Sequence, residues 1–117
     1  MTHSHGSGVL EDLSPLTRDL RRALPEVYDG FRQLHHAAFA PGALDTKTKE
    51  LMAFAIGVGQ QCDGCIASHA RAAAKAGATR EEAAEAIGVA ILMNGGPATI
   101  YGPRAYAAFC EFTEGTQ

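Results

Sequence analysis

Glu50-Leu51-Met52-Ala53-Phe54-Ala55-Ile56 carries one acid and then six apolar side chains in succession. A helix that is apolar nearly all round has no face to give to water, so this one is expected to be buried within a helical assembly. Asp45 or Thr46 supplies the side-chain oxygen that caps its first turn, and the run continues toward Gln60. The remaining segments are what must surround it.

Toward the N-terminus, Leu16, Leu20 and Leu24 repeat at the spacing of one helix face from Ser14 onward, until Pro25 interrupts. Pro25 can open the next helix as its first residue. That helix sets Val27, Tyr28, Phe31, Leu34 and Ala38 on one side and stops at Ala40-Pro41-Gly42. Residues 1 to 8 are mostly His, Ser and Gly, and residues 1 to 13 read as a flexible tail, in which His3 and His5 carry little weight.

Toward the C-terminus, a helix runs from near Cys62 to Ala76, and Gly77 stands where a left-handed residue would close it. Thr79-Arg80-Glu81-Glu82 is a capping box opening a helix through Ile87, Val89, Ile91 and Leu92, which Asn94-Gly95-Gly96-Pro97 stops. A last helix from near Pro97 carries Ile100, Tyr101, Ala105, Ala108, Phe109 and Phe112. No segment alternates apolar and polar residues over strand length. The expectation is an all-α bundle of about six helices, one domain over residues 14–117.

Composition bounds the function. The chain has 117 residues, 46% of them hydrophobic and 20% charged, with 13 Asp and Glu against 10 Lys and Arg. A net charge of -3 lacks the Lys and Arg surplus that phosphate binding needs, so nucleic acid is not the expected partner. No apolar run is long enough to span a bilayer and the first residues are not those of a secretory signal, which makes the cytosol the default compartment. Alanine fills many apolar positions and offers little area to bury, while Leu51 to Val58 and Ile87 to Met93 are too apolar for a lone small bundle; a homo-oligomer is expected.

The chemistry concentrates in Cys62-Asp63-Gly64-Cys65-Ile66-Ala67-Ser68-His69. On a helix, His69 falls roughly 20° from Cys62 and roughly 40° from Cys65 around the axis, so two sulfurs and an imidazole share one stripe. Residues three apart on a helix have Cα atoms roughly 5 to 5.5 Å apart, within the span a disulfide tolerates. A helix N-terminus and a nearby imidazole both lower a thiol pKa, and a carboxylate is the usual group that orients such an imidazole. Glu50 is the candidate, because an acid in that apolar helix is costly unless paired.

Other readings stand beside this one. The cysteines can be two small buried hydrophobes, His69 a satisfied core histidine, and Glu50 a helix N-terminal charge. Zinc is a further alternative, with Cys62, Cys65 and His69 as three ligands and Glu50 or His35 as a fourth, although three ligands on consecutive turns would have to bend inward to chelate one ion. His35 and His36 read as cations at a helix C-terminus, Cys110 as a packing residue, and Tyr101 and Tyr106 as core or pocket. Gly57-Val58-Gly59 has no strand before it and is no dinucleotide fingerprint. Nor is there a βαβ pattern for a thioredoxin-like origin of the cysteine pair.

Glu50, eleven intervening residues and then Cys62-x-x-Cys65-x-x-x-His69 resembles the signature of the AhpD-like alkylhydroperoxidases of the carboxymuconolactone decarboxylase family. The likeness extends over roughly Leu44 to Ile100, through the turn Ala76-Gly77-Ala78-Thr79. It implies an all-helical homotrimer or homohexamer that reduces hydroperoxides or partner disulfides, recharged by a dithiol electron donor and needing neither flavin nor metal. In that scheme Cys65 attacks peroxide, Cys62 resolves the sulfenic acid, and Glu50 with His69 relays protons. Gly64 stands where the best-known peroxidases of the family carry a second histidine, which makes disulfide reduction the safer expectation. Part of the wider family consists of lactone decarboxylases without the cysteine pair. A noncatalytic zinc-binding or redox-sensing oligomer is the reading from another class.

Overall fold

The computed structural model describes residues 4–113, so residues 1–3, with His3 of the expected tail, and 114–117 lie outside it. Six helices follow in order among the described residues: α1 (Ser7–Ala23), α2 (Pro25–Phe39), α3 (Thr46–Gly59), α4 (Asp63–Lys75), α5 (Arg80–Asn94) and α6 (Gly96–Thr113). The fold is all-α, and no described helix is long and apolar enough to cross a membrane.

Local chemistry sets most of the boundaries. Asp45 accepts the Thr48 N–H at 2.8 Å and starts α3. Thr79 accepts the Glu82 N–H at 3.1 Å while the Glu82 carboxylate accepts the Thr79 N–H at 2.9 Å, the reciprocal box expected at α5. Gly77, at φ +96°, lets the chain turn out of α4, with the Ala78 N–H returning to the Ala73 carbonyl at 2.9 Å.

α3 packs against α4 and α5, and α6 closes against α4 and α5, so these four helices hold the core. Phe54 of α3 and Phe109 of α6 are fully buried with ring centroids 6.2 Å apart. Each buried phenylalanine contributes about 1.5–3 kcal/mol. Around them the core is mostly alanine, which lets the backbones approach: a methyl built on Gly102 of α6 would fall 3.0 Å from Ile87 of α5.

Two expectations change, and one sequence pattern gains a meaning it did not have alone. The first helix starts at Ser7 rather than Ser14, so most of the expected tail is ordered. The cause lies at the far end of the sequence, where the Glu111 carboxylate accepts from Ser4 Oγ at 2.8 Å and from the backbone N–H groups of His5, Gly6 and Ser7 at 3.1, 3.1 and 3.2 Å. That carboxylate satisfies donors a cap residue would otherwise take, and Gly6 supplies no side chain to do so. Partial burial pushes the Glu111 carboxyl up, but the hydrogen bonds from Ser4, Ser7, Gly6 and His5 outweigh it and hold it below the ordinary carboxylate range.

The pattern is the leucine stripe of α1 with the apolar side of α2, which are not core. Leu16, Leu20, Leu24, Val27, Phe31 and Leu34 are all exposed, and neither helix buries a residue. The second change is that α3 is not enclosed on every side: Glu50, Phe54, Gly57 and Val58 are buried, but Met52 and Ile56 face outward. In both cases the apolar periodicity is real, and a single chain leaves those faces open.

Candidate active site

Cys62 is the N-cap of α4, with an extended backbone that lets its Sγ accept the Cys65 N–H at 3.2 Å. Gln61, just before it, holds a left-handed backbone at φ +56°, uncommon for a residue with a side chain. This tight exit from α3 brings the cysteine to the first turn of the next helix. Cys62 and Cys65 are joined in a disulfide, with Cα atoms 5.2 Å apart as helical spacing requires.

His69 lies one turn beyond Cys65. Its Nδ1 is 2.7 Å from Glu50 Oε1, across the α3–α4 interface, and the Glu50 side chain is 7% exposed against 18% for His69. The packing of α3 on α4 therefore closes the pairing that the sequence left open. Donation of Nδ1–H to the carboxylate leaves Nε2 as the ring nitrogen that can accept a proton. The partner also offsets the several kcal/mol that an isolated buried carboxylate would cost.

Gly57 of α3 sits opposite the cysteines, where an added Cβ would fall 3.3 Å from Cys65 Cβ and 3.4 Å from the Ile66 nitrogen. At Gly64, an added Cβ would fall 2.9 Å from Leu13 Cδ1. A side chain there would have to displace this leucine of α1.

The structure also brings in Phe39, which sequence reasoning passed over, and gives His35 a place other than the zinc ligand or terminal cation read from the sequence. Near the end of α2, the Phe39 ring stacks on His69 at 5.4 Å between centroids and 22° between planes, and His35 lies 6.1 Å from the same imidazole at 10°. His35 is thus part of an aromatic cover over His69 rather than only a cation at a helix terminus. Its i, i+4 spacing from Phe39 marks a shared helix face, but nothing in α2 alone says what that face meets.

Among the described residues no group of three or more His, Cys, Asp and Glu is arranged to hold a metal ion. Cys110 takes no part in the disulfide. Beside the start of α4 opens a cavity of about 580 Å³, walled by the N-terminal segment and Asp12, by Gln61, Asp63 and Ile66, and by Tyr101 and Arg104 of α6. The arrangement as a whole offers a two-electron sulfur couple, a carboxylate-held imidazole one turn away, and a neighbouring space of small-molecule size.

Known proteins share this framework. The sequence pattern of the Carboxymuconolactone decarboxylase family matches residues 25–108. A carboxymuconolactone decarboxylase family protein of Legionella pneumophila, solved in its apo form, superposes with a TM-score of 0.88 at 44% identity, over 92% of this chain and 96% of that one. A family protein of Thermotoga maritima for which a part in an antioxidative response has been suggested superposes with a TM-score of 0.70 at 34% identity, over 76% of this chain and 92% of that one. An uncharacterised protein encoded in the cox locus of Paracoccus denitrificans is 41% identical over 90 residues, which is 77% of this chain and 81% of that protein.

Proposed function

Because the chain belongs to the carboxymuconolactone decarboxylase family, we propose that it performs the thiol chemistry of the AhpD-like members: a dithiol–disulfide oxidoreductase that reduces hydroperoxides or partner disulfides. The observation that carries this reading is the Cys62–Cys65 disulfide on the helix that also presents His69, whose imidazole is bonded to the buried Glu50. A lactone decarboxylase has no use for such a couple.

In the peroxide half-reaction, the Cys65 thiolate attacks the terminal peroxide oxygen and the O–O bond breaks. His69, charged after taking the thiol proton, returns a proton to the departing alkoxide. The Cys62 thiol then attacks the Cys65 sulfenic acid, water leaves, and the disulfide forms. Two electrons have passed from the dithiol to the peroxide, and an external dithiol donor restores them. Glu50 holds the imidazole and stabilises its charged form. The assembly proposed with this activity is a homotrimer or homohexamer in the cytosol, consistent with the apolar faces that one chain leaves open.

Free-thiol counting before and after one equivalent of a hydroperoxide tests the reading. Reduced wild type should lose two thiols, whereas Cys65→Ser should lose none rapidly and Cys62→Ser should stop at a sulfenic acid. Glu50→Gln should slow the wild-type reaction by about 10²- to 10⁴-fold, the usual worth of a positioned acid–base group. Full-rate oxidation of Cys65→Ser would remove Cys65 from its role, and near-stoichiometric zinc with two unreactive thiols would replace the enzyme with a metal-binding oligomer.

A further inference from the structure

The cavity beside α4 carries charges of both signs that do not satisfy one another. Arg104 stands with its guanidinium 5.0 Å over the Tyr101 ring and has no hydrogen bond or ion pair with any described residue. Asp12 and Asp63, on the other walls, likewise have no cationic partner among the described residues. The ring fixes the guanidinium by cation–π attraction without neutralising it. Three charged side chains, Arg104, Asp12 and Asp63, thus share with the His5 imidazole a volume of about 580 Å³, within the size range of small-molecule sites. A ligand bearing a carboxylate toward Arg104 and an ammonium toward Asp12 and Asp63 would complement all three.

The cavity also has a definite relation to the sulfurs. Gln61 and Asp63, the neighbours of Cys62 on either side, both wall it, as does Ile66. Around α4, the side shared by Asp63 and Ile66 lies roughly 70° from Cys62 and roughly 130° from Cys65. Neither cysteine walls the cavity itself, and by this angle Cys62 is the one turned nearer to it.

Resting on the dithiol–disulfide reading above, we infer that this cavity is a substrate site for small zwitterionic disulfides, those whose halves are α-amino acids or short peptides. The Cys62 thiolate attacks one sulfur of the bound disulfide, forming a mixed disulfide and expelling the first half as a thiolate that takes up a proton. Cys65, deprotonated by His69, then attacks Cys62 Sγ, forms the Cys62–Cys65 bond and expels the second half, which recovers that proton. Two electrons pass from the protein dithiol to the substrate, and an external dithiol returns the protein to its reduced state. A hydroperoxide, being smaller, reaches Cys65 beside His69; a disulfide of this class enters through Cys62.

The test is a single-turnover oxidation of the full-length reduced protein, freed of reductant, by four disulfides: cystine (zwitterionic), cystamine (cationic), dithiodiglycolate (anionic) and 2-hydroxyethyl disulfide (neutral). Cystine should half-saturate the reaction at about a tenfold lower concentration than the neutral compound, and Arg104→Gln should remove that advantage, tenfold being the worth of one charge-assisted pairing. Arg104→Gln should leave 2-hydroxyethyl disulfide unaffected, and Asp12→Asn should weaken cystine and cystamine but not dithiodiglycolate. Both side chains are exposed, and far-UV circular dichroism checks that the fold persists. With cystine, Cys65→Ser should trap a mixed disulfide on Cys62, located by peptide mass. Equal half-saturation by all four compounds, an equal response of all four to Arg104→Gln, or trapping on Cys65 in Cys62→Ser with none on Cys62 in Cys65→Ser would overturn the site while leaving the redox reading intact. Failure of every compound and of hydroperoxide to oxidise the dithiol would overturn both.

Discussion

Helices α1 and α2 and helices α3 to α6 answer the same sequence signal in opposite ways. Both regions carry apolar side chains at helical spacing, yet the second sets Phe54, Val58, Ile66 and Phe109 in a closed core, while the first buries no residue of its own. Periodicity states that a face needs cover and is silent on whose surface supplies it. For Phe54, Val58, Ile66 and Phe109 the cover is within the chain, although Met52, Ile56, Val89, Leu92 and Met93 of the same helices stay exposed. For α1 and α2 the proposed cover is a second copy, and the face of Leu20, Leu24, Val27 and Phe31, lining a hollow of about 360 Å³, is where it would seat.

The sharpest way to break this contrast is to truncate one phenylalanine in each region. Phe54→Ala should cost about 3–5 kcal/mol in denaturant unfolding, as a buried ring leaving a cavity does. Phe31→Ala should cost less and in a concentration-dependent manner, because its contacts would lie between chains. Equal losses at all protein concentrations would show that α2 is covered within the chain. Next in size, Leu20→Asp with Phe31→Asp should convert a sedimenting oligomer to monomer with the helical circular dichroism largely retained; an unchanged sedimentation coefficient would detach this face from assembly.

Within the core region, Thr79→Ala removes one half of the α5 capping box and should lower stability by about 1 kcal/mol. The smallest effect concerns the start of α1. The Glu111 carboxyl is held below its ordinary value of 4.5, so its contribution to docking Ser4–Ser7 is complete above that pH and fades as the pH falls through the depressed value of the folded state. Amide exchange at Gly6 and Ser7 should quicken over that acid range, and Glu111→Gln should show raised exchange already at neutral pH. Exchange insensitive to both changes would assign the order of this segment to packing alone.

These contrasts also explain how far the sequence could be read. Asp45, Gly77, the Thr79–Glu82 box and Gly95 act on their own neighbours, so the boundaries of α3, α4 and α5 were legible within a residue or so. The start at Ser7 was not, because the Glu111 oxygens that fix it lie more than 100 positions away and its own residues are Ser and Gly. The stripe of Cys62, Cys65 and His69 followed from helix geometry, and Glu50 from the cost of a lone acid in apolar surroundings. Phe39 and His35 share a face in the sequence, but only the docking of α2 shows that the face covers His69.

Gly57 makes stability and chemistry pull against each other. Alanine at this position would favour the α3 helix by roughly 0.5–1 kcal/mol of intrinsic propensity, yet its methyl would press on Cys65 and on the backbone of Ile66. The separation between the helix that holds the acid and the helix that holds the sulfurs is gauged by a single hydrogen atom. Under the proposed chemistry, a substitution that makes α3 a better helix here asks Cys65 to give by a few tenths of an ångström, so helix propensity and the spacing of acid, imidazole and sulfurs are set at one position.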